Sequence, residues 1–561
     1  MANTLSITVG QQSKTGHKSN NQDAYGVLIP SESLLITKGI AAVIAHVVNS
    51  NAVNSNETNI VDTQASKYSV RSFLNDYFST PESWTVKTAA QKILLALNRW
   101  LYAQGCHIHE KMEESSHQNC HHCSLYGVNK ELVTTLSILI IKSTTAHLFH
   151  VGDTRIYRLR DNTLECLTQD HLVQISKDQE YLSRAMGIEL HVEIDYSNTK
   201  VAVGDYYIFT TAGVHRYLSD KDIVRIVVEY KNDLNKACQK IVSEAFAKES
   251  PDNLTCQIVR IDSLLSQDAF FKKLTELPFP PPLSKDMYLD GYHILQELYA
   301  SNRTQLYLAF DQDIQEKVIL KTPSINFEDD PTYIDNFLHE EWVGRRLIHR
   351  NVMKVYEQKR HRQCLYHVVE YIQGQTLRQW MRDNPKPLLS EVKILVEQIA
   401  AGLRAFHRME MLHQDLKPEN IMIERKGLIK IIDFGSTKIA GLEEITTPIE
   451  RLNLLGTKNY TAPEYLRGFA GSDRSDLFSL GVITYEMLTG QIPYGEAKLD
   501  KLHHQLNYTS VCHYNQNLPM WVDCALKKAV HPSPSRRYDS LSDFLYDFSH
   551  PNSSLLSENQ I

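Results

Sequence analysis

The sequence lacks three features that would place it at once in a broad class. No stretch reaches the ~20 consecutive apolar residues needed to span a bilayer, and the longest apolar runs, near 40–48 and 135–141, have the length of strands. The first ten residues hold no basic segment followed by an apolar one, so we expect no secretory signal. Basic residues do not predominate, since the formal net charge is −7, and nucleic acid is therefore not an expected partner.

Cysteine is also sparse. Nine cysteines, most of them isolated, are spread over 561 residues, which favours reduced thiols in the cytoplasm over a disulfide framework. Hydrophobic residues at 42% and charged residues at 22% are ordinary for globular protein. A chain of this length is too long for one compact core, so we expect several domains. Because no long apolar stretch is present, we expect no membrane span.

The proline-rich run Leu277–Ser284 marks the clearest division of the chain. Its prolines exclude a helix or a central strand and predict a semi-rigid extended connector. Apolar runs before it predict buried strands at 134–141, 146–152 and 205–211, and helical spacing predicts a helix over 85–103. The predicted organisation is α+β and multidomain: a first domain over 1–265, a linker over 266–287, a second domain over 288–548 and a polar tail over 549–561.

Four motifs after the connector supply the groups that phosphoryl transfer requires. That reaction needs the phosphate charge neutralised, a metal held and the attacking hydroxyl oriented. Lys321 ends the apolar run VILK and could reach the phosphates of ATP, and Glu340, on the amphipathic stretch 337–349, is placed to pair with it. HQDLKPEN at 413–420 and IIDFG at 431–435 follow in order, and the intervals of the set are far more specific than any single motif.

In this order the motifs resemble the eukaryotic-type protein kinase family from about residue 290 to 548, and the segments GTKNYTAPE at 456–464 and DLFSLG at 476–481 extend the likeness. The resemblance implies a bilobal kinase fold, ATP and Mg²⁺ as substrate and cofactor, and protein substrates with serine or threonine hydroxyls. Lysine two residues after the catalytic aspartate is the serine/threonine pattern. The resemblance also implies a structural bridge between Glu464 and Arg537.

The same resemblance assigns roles to individual residues. It implies Asp415 as the group that accepts or orients the substrate hydroxyl proton, Lys417 at the γ-phosphate, Asn420 and Asp433 as Mg²⁺ ligands, Lys321 paired with Glu340, Glu370 and Tyr371 as the hinge beside adenine, and Val369 as the gatekeeper.

Two departures from the family pattern qualify this interpretation. The phosphate-covering loop should carry three glycines, but Tyr299, Ser301 and Thr304 stand at those positions. Ser301 and Thr304 could still donate hydrogen bonds, so we expect weakened ATP affinity rather than abolished transfer. Gln414 replaces the arginine that pairs with a phosphorylated activation loop, so we expect activity without phosphorylation at Thr446, Thr447 or Thr457.

Residues 1 to about 262 resemble the metal-dependent, PPM-type protein phosphatase family. The segments that carry this likeness are KSNNQDAYG at 18–26, HVGDTRIYRL at 150–159, LTQDH at 167–171 and SPDNLT at 250–255. The resemblance implies a β-sandwich flanked by helices and a two-metal centre, with Asp23 and Asp252 at two ligand positions. Lys18 stands where the family has its phosphate-binding arginine.

The other two ligand positions of that family are not filled by carboxylates. One aligns with His46 and the other with Ala212, which has no ligating atom. The site should therefore be unable to hold the two metal ions together, and we expect this domain to be catalytically inactive. One interpretation is that the domain acts as a regulatory or docking module, for example for phosphorylated proteins. The alternative is that it is a relict that merely folds.

A histidine- and cysteine-rich insert stands between the predicted helix and the next strand. Cys120 and Cys123 have the spacing of a zinc knuckle, and Cys106 or His109 could complete a tetrahedral Zn²⁺ site. Thiol oxidation and a histidine-rich loop without metal are the alternatives.

The sequence thus predicts an active, cytoplasmic serine/threonine kinase joined to an inactive phosphatase-like domain. The alternatives are a double pseudoenzyme that serves as a binding scaffold, favoured by the glycine-poor loop, and an active bifunctional kinase/phosphatase, which Ala212 argues against.

Overall fold

The computed structural model describes residues 5–48, 64–115, 132–176, 179–264, 277–300, 304–324, 326, 331–357, 360–440, 459–495 and 507–552. The chain divides into two compact units, one spanning Met1–Phe270 and the other containing most residues from Phe271 onward. Each unit has its own hydrophobic clusters.

Two five-stranded antiparallel sheets form the centre of the first unit. The first sheet has the order β1-β12-β11-β6-β7, with strands Ser6–Lys14, Leu254–Ser263, Tyr206–Thr210, Arg155–Arg160 and Thr163–Cys166. The second has the order β10-β5-β4-β3-β2, with strands Asp195–Lys200, Thr145–Val151, Thr134–Lys142, Ile40–Val47 and Asp23–Leu28. A short hairpin joins β8 (Leu172–Ser176) to β9 (Gln179–Leu182).

Helices cover the outer face of each sheet. The second sheet packs against α2 (Gln64–Ser79) and α3 (Val86–Ser115), and the first packs against α5 (Asp220–Glu229) and α6 (Leu234–Ala247). Ile44, Leu139 and Phe209 belong to the cluster between the two sheets. Since strand β4 is covered on both faces, all its residues are buried, and this explains why its sequence is a continuous apolar run rather than an alternating one.

Two shorter helices complete this unit: α1 (Glu32–Lys38) and α4 (Ala212–His215). The β-sandwich flanked by helices that the sequence predicts is confirmed. One boundary is wrong: the helix predicted to end near residue 103 continues to Ser115. Cys106 and His109, which we expected in a loop, therefore lie within α3, whereas Cys120 and Cys123 lie outside the described residues.

The second unit begins with a five-stranded antiparallel sheet of order β13-β14-β15-β16-β17. Its strands are Tyr288–Leu289, Tyr292–Ala300, Thr304–Asp311, Glu316–Pro323 and His367–Glu370. The helix α7 (Pro331–Arg346) follows β16 in sequence.

The proline-rich segment before this sheet packs against it. Leu283 is buried with Tyr307 and Val318, and the backbone N–H of Leu365 donates to the carbonyl of Pro278 at 2.8 Å. We call residues 277–284 the proline strap. The sequence predicts an extended connector here, but the Leu283 side chain belongs to the core of the sheet, so the strap packs as part of the second unit.

A second, mostly helical lobe completes this unit. Its helices are α8 (Leu377–Asp383), α9 (Leu389–Arg408), α10 (Pro463–Leu466), α11 (Asp473–Thr489), α12 (Val511–Tyr514), α13 (Met520–Ala529) and α14 (Leu541–Ser549). Short strand pairs lie among them: β18 (Gly374–Thr376), β20 (Ile421–Glu424) and β21 (Ile429–Ile431) in one sheet, and β19 (Met411–Leu412) with β22 (Lys438–Ile439) in another. Helix α11 is buried along nearly its whole length, because α9 and α13 both pack against it.

The sheet lobe followed by a helical lobe confirms the bilobal architecture expected for the second half of the chain. Among the described residues, no helix combines the length and the apolar character required to cross a membrane.

Candidate active site

A buried ion pair joins the sheet of the second unit to its first helix. Lys321 on β16 donates from Nζ to both carboxylate oxygens of Glu340 on α7, each at 2.6 Å. Burial acts to lower the pKa of Lys321, but the negative charges of Glu340 and Asp433 raise it above its ordinary value. The lysine is therefore held protonated and in one position, as a phosphate-binding cation requires.

The loop between β19 and β20 folds around one carboxylate. Asp415 Oδ2 accepts hydrogen bonds from Lys417 Nζ at 2.7 Å and from Asn420 Nδ2 at 3.2 Å, and Asn420 Nδ2 also donates to the carbonyl of Asp415 at 2.9 Å. A short 3₁₀ turn over Pro418–Asn420 brings the asparagine back to the aspartate. The geometry therefore brings together Asp415, Lys417 and Asn420, as the motif spacing predicts.

Asp433 follows β21 in a strained backbone conformation with φ of 66°. Burial acts to raise the pKa of its carboxyl, but the positive charge of Lys321 holds that pKa below its ordinary value. The carboxylate is thus ionised at neutral pH, and the N–H of Gly435 donates to its Oδ1 at 3.4 Å.

These donors fit a hard divalent cation. An ionised carboxylate on Asp433 and the amide oxygen of Asn420, whose Nδ2 is already engaged, are the oxygen ligands that Mg²⁺ takes together with waters and substrate phosphates. Asp433 and Asn420 are therefore the residues that would hold Mg²⁺ in this unit.

The residues of the first unit that align with the phosphatase family's metal ligands form a site with a different chemistry. Asp23 Oδ1 lies 2.6 Å from His46 Nδ1, and Asp23 Oδ2 accepts from the hydroxyls of Thr255 at 2.6 Å and Thr211 at 3.1 Å. Burial acts to lower the pKa of His46, but its hydrogen bond to Asp23 and the charges of Asp23 and Asp252 raise it. Both oxygens of Asp23 are thus engaged by the protein itself.

The second remnant carboxylate is engaged in the same way. Lys18 forms an ion pair with Asp252 Oδ1, and His46 Nε2 lies 4.0 Å from Asp252 Oδ2. Ala212, at the start of α4, contributes only a methyl group. These residues do not fit a two-metal centre, because two carboxylates already bound by side-chain cations cannot offset the charge of two divalent ions. In the described parts of the chain, no group of three or more His, Cys, Asp or Glu side chains could hold a metal ion.

One buried acid near this cluster was missed by the sequence analysis. Asp153 lies in the GDTR part of a segment that we quoted only for the family likeness, and it is 6% exposed. Burial acts to raise the pKa of its carboxyl, and the charges of His46 and Arg216 oppose that effect without cancelling it. Its Oδ1 has no hydrogen-bond partner within the described structure, and no feature of the local sequence indicates this.

Comparison with known proteins agrees with the geometry of the second unit. Over residues 292–554 the sequence matches the protein kinase domain family. This part of the chain is a protein kinase domain.

Each of the similar proteins matches about half of the chain. The serine/threonine-protein kinase PrkC of Bacillus subtilis is 30% identical over 259 residues, which make up 46% of this chain and 40% of PrkC. The chain thus matches less than half the length of this relative. Among solved structures, the PknI kinase domain of Mycobacterium tuberculosis is 22% identical, with 48% of this chain and 98% of that chain covered and a TM-score of 0.38.

A phosphatase structure is similar as well. The catalytic domain of the serine threonine protein phosphatase PstP, in complex with two manganese ions, is 19% identical, with 46% of this chain and 100% of that chain covered and a TM-score of 0.35.

The residues that we predicted to form the hinge lie at the end of β17. Val369 is buried, and the Glu370 side chain accepts from Lys430 Nζ at 2.9 Å, so its carboxylate is turned toward β21. Tyr371 follows directly after the strand.

The loop expected to cover the phosphates connects β14 to β15. Tyr299 is 58% exposed near the end of β14, and Thr304 begins β15. Ser301 lies outside the described residues, as do Thr446, Thr447 and Thr457. The proposed roles of Tyr299, Ser301 and Thr304 therefore stay predictions.

An acid on α11 holds the catalytic loop of the kinase domain and was also missed as a functional residue. The backbone N–H groups of His413 and Gln414 donate to Asp476 at 3.0 and 3.1 Å, and His407 Nε2 lies 2.9 Å from the same carboxylate. Gln414 has a φ of 66°, so this anchored turn is strained. DLFSLG was noted as a family segment, but the contact joins residues more than sixty positions apart and has no local signal.

The predicted bridge between Glu464 and Arg537 is present in the kinase domain. Arg537 donates from Nη1 and Nη2 to the two carboxylate oxygens of Glu464, both at 2.7 Å, and both side chains are buried. Ser475 adds a third hydrogen bond to Glu464 at 2.6 Å. A bidentate pair of this kind fixes α10 relative to the segment before α14.

Proposed function

We propose that this protein transfers the γ-phosphate of ATP to serine or threonine hydroxyls of protein substrates. The observation that carries the proposal is the assembled charge constellation: the Lys321–Glu340 pair, the Asp415 loop and the ionised Asp433 within one kinase domain. Relatives named as serine/threonine-protein kinases support the same reaction class.

Each group of the constellation would have a separate task. Mg²⁺, held through Asn420 and Asp433, would neutralise phosphate charge. Lys321 would bind phosphate oxygens at a position set by Glu340. Asp415 would orient the substrate hydroxyl and take its proton as the new P–O bond forms and the bond to the leaving ADP breaks. Lys417, which lies beside Asp415, would steady the transferring phosphoryl group.

The decisive experiment measures transfer of labelled γ-phosphate from Mg-ATP to the protein itself and to a generic serine/threonine substrate. Asp415→Asn keeps the shape of the side chain but removes its charge, so we expect the rate to fall by about 10²-fold or more. Asp383→Asn, the same change at the end of α8, serves as the matched control and should leave transfer intact. Equal rates in the wild type and Asp415→Asn would refute the assignment.

A scaffold without catalysis is the second candidate, and the glycine-poor phosphate loop favours it. Tyr299 and Thr304 carry side chains where close backbone approach to phosphates normally requires glycine. Titration of Mg-ATP against the full chain separates the two functions. Saturable binding coupled to label transfer supports the kinase, whereas folded protein that neither binds Mg-ATP nor transfers label supports the scaffold.

We further propose that the first unit is a phosphatase-like domain without phosphatase activity. The engagement of Asp23 by His46 and of Asp252 by Lys18 supports this, as does Ala212. In the presence of Mn²⁺, the wild-type protein should hydrolyse an aryl phosphate no faster than the Asp252→Ala variant does. Strong Mn²⁺-dependent hydrolysis abolished by that variant would restore the bifunctional interpretation.

A regulatory or docking role remains for such a domain, with phosphorylated proteins as the proposed ligand class. Lys18 supports this proposal because it supplies positive charge and is partly exposed beside the remnant site. A phosphoserine peptide labelled with a fluorophore should bind the full chain more tightly than its unphosphorylated form. Lys18→Gln should remove that difference, and equal binding of both peptides by the wild type would rule the role out.

A further inference from the structure

The helical lobe of the kinase domain contains two glutamates, Glu419 and Glu486, that are bound by one arginine. Arg378, near the start of α8, donates from Nε to Glu419 at 2.8 Å and from Nη1 to Glu486 on α11 at 2.7 Å. Its Nη2 also donates to the hydroxyl of Tyr460, which in turn donates to Glu486 at 2.5 Å. We call these four residues the Arg378 cluster.

One member of the cluster lies within reach of any bound substrate. Glu419 is part of the 3₁₀ turn that returns Asn420 to Asp415, and its side chain is 46% exposed. Glu419 stands four positions after Asp415, and four residues of chain span at most about 14 Å, so side chains that flank a substrate hydroxyl at Asp415 would lie within reach of Glu419. A half-exposed carboxylate at this place would attract a basic side chain of the substrate.

The guanidinium of Arg378 prevents that attraction in this chain. Glu486 is only 12% exposed on its side chain and Tyr460 is buried, and these two residues hold Arg378 through Nη1 and Nη2, whereas Nε donates to Glu419. A substrate arginine would therefore have to compete with a cation that is already positioned, and it would face the like charge of Arg378.

We propose that Arg378 is a specificity-determining residue that keeps the kinase domain from selecting basic residues close to the target hydroxyl. The inference rests on the proposed kinase function. Arg378 lies outside the reacting centre but would influence which peptides are phosphorylated. Neutral or acidic peptides should therefore be accepted at least as well as basic ones.

The test compares peptides that differ in one charge. Three peptides carry the same central serine, with alanine, arginine or glutamate three positions before it, and phosphorylation by the full chain is measured as kcat/KM. Arg378→Gln should raise the ratio of the arginine peptide to the glutamate peptide by about twofold to fivefold, the range expected for a half-exposed ion pair. Arg378→Lys, which keeps the charge, should leave the ratio close to that of the wild type.

A matched variant separates this effect from a change of overall charge. Arg382→Gln removes the same charge from an exposed position on the same helix and should not change the peptide ratio. A purely structural role of Arg378 would lower the rates for all three peptides in proportion and leave their ratio unchanged.

The outcomes distinguish the inference from the proposed function. A shifted ratio in Arg378→Gln alone supports the inference. An unchanged ratio with measurable transfer refutes the inference but leaves the kinase function standing, and so does an equal shift in Arg382→Gln. Absence of transfer to every peptide by the wild type overturns the kinase function and the inference with it.

Discussion

At the scale of single residues, the site depends on charges that are buried in pairs. Lys321 and Glu340 are nearly removed from water, and each is tolerated there because the other compensates its charge. Asp433 adds a third charge, so that the trio holds an excess negative charge that suits a divalent cation. Removing one member leaves a buried charge without its partner, so the position of the remaining groups depends on the whole set.

Loss of Glu340 is the direct test of this pairing. In Glu340→Gln, Lys321 loses the carboxylate that positions it, and kcat/KM for ATP should fall by about 10²-fold, the usual effect of a misplacement of about 1 Å. Steady-state kinetics over a range of ATP concentrations gives the value. Glu357→Gln, an exposed glutamate, is the control, and unchanged kcat/KM in Glu340→Gln would contradict the role of the pair.

Gln414 leads to a prediction about regulation. A neutral glutamine cannot form a charge-assisted pair with a phosphate, and in this structure its amide lies 3.4 Å from the hydroxyl of Tyr465. Protein stripped of phosphate by a phosphatase should therefore keep its initial rate of peptide phosphorylation. If that rate were lost and then regained on rephosphorylation, the expected independence from phosphorylation at Thr446, Thr447 or Thr457 would be wrong.

The sequence predicts site residues well where ordered motifs define them. Lys321 and Glu340 were expected to pair, and Glu464 and Arg537 were expected to form a bridge, and the structure contains both contacts. Asp153, Asp476 and Arg378 were not singled out from the sequence, because the charged groups that they face in the fold are distant in sequence. No periodicity or local spacing reports a contact of that kind.

At the scale of elements, apolar patterns located the strands better than they located helix ends. The predicted strand over 134–141 corresponds to Thr134–Lys142, because a fully covered strand must be apolar throughout. The last turns of α3, by contrast, contain cysteine, histidine and glutamate and carry little apolar signal, so the pattern stops before the helix does. The proline strap was expected to be extended, but its packing depends on one leucine that the pattern does not single out.

That leucine makes the strap testable. Leu283→Ala removes a buried side chain from the cluster around Tyr307 and should lower the free energy of unfolding of the kinase domain by about 2–3 kcal/mol. Hydrogen exchange followed by mass spectrometry on peptides from β15 and β16 reports this local stability. Leu298→Ala, at a largely exposed position of the same sheet, should have little effect, and equal protection in both variants would show that the strap does not stabilise the sheet.

At the scale of the whole molecule, acid should destabilise the first unit through its buried histidines. The first unit buries three histidines whose pKa is lowered by burial, that of His147 and of His150 to about 4 and that of His215 to about 3. The unfolded chain takes up protons on these groups as pH falls below 6.5, whereas the folded unit does not. These three histidines should thus make the first unit less stable as pH falls from 6.5 toward 4. His46, whose pKa is raised, acts in the opposite direction, and its contribution to stability is lost as pH rises above 6.5 through its folded-state pKa.

One substitution isolates this effect. His215→Asn should reduce the slope of stability against pH by up to about 1.4 kcal/mol per pH unit between 6.5 and 4, whatever the constant cost of the changed side chain. Hydrogen exchange of peptides from β11 and β12 at several pH values measures the slope. His191→Asn, at an exposed position, is the control, and identical slopes for His215→Asn and the wild type would exclude His215 as a source of acid sensitivity.

The closing of the Asp23 and Asp252 carboxylates by His46 and Lys18 also bears on how the protein can be handled. A domain that draws its compensating charge from its own side chains has no need of a dissolved ion to stay folded. The first unit should therefore pass unchanged through chelating buffers and through cells starved of manganese. The folded fraction of the first unit should then not depend on the metal content of the medium.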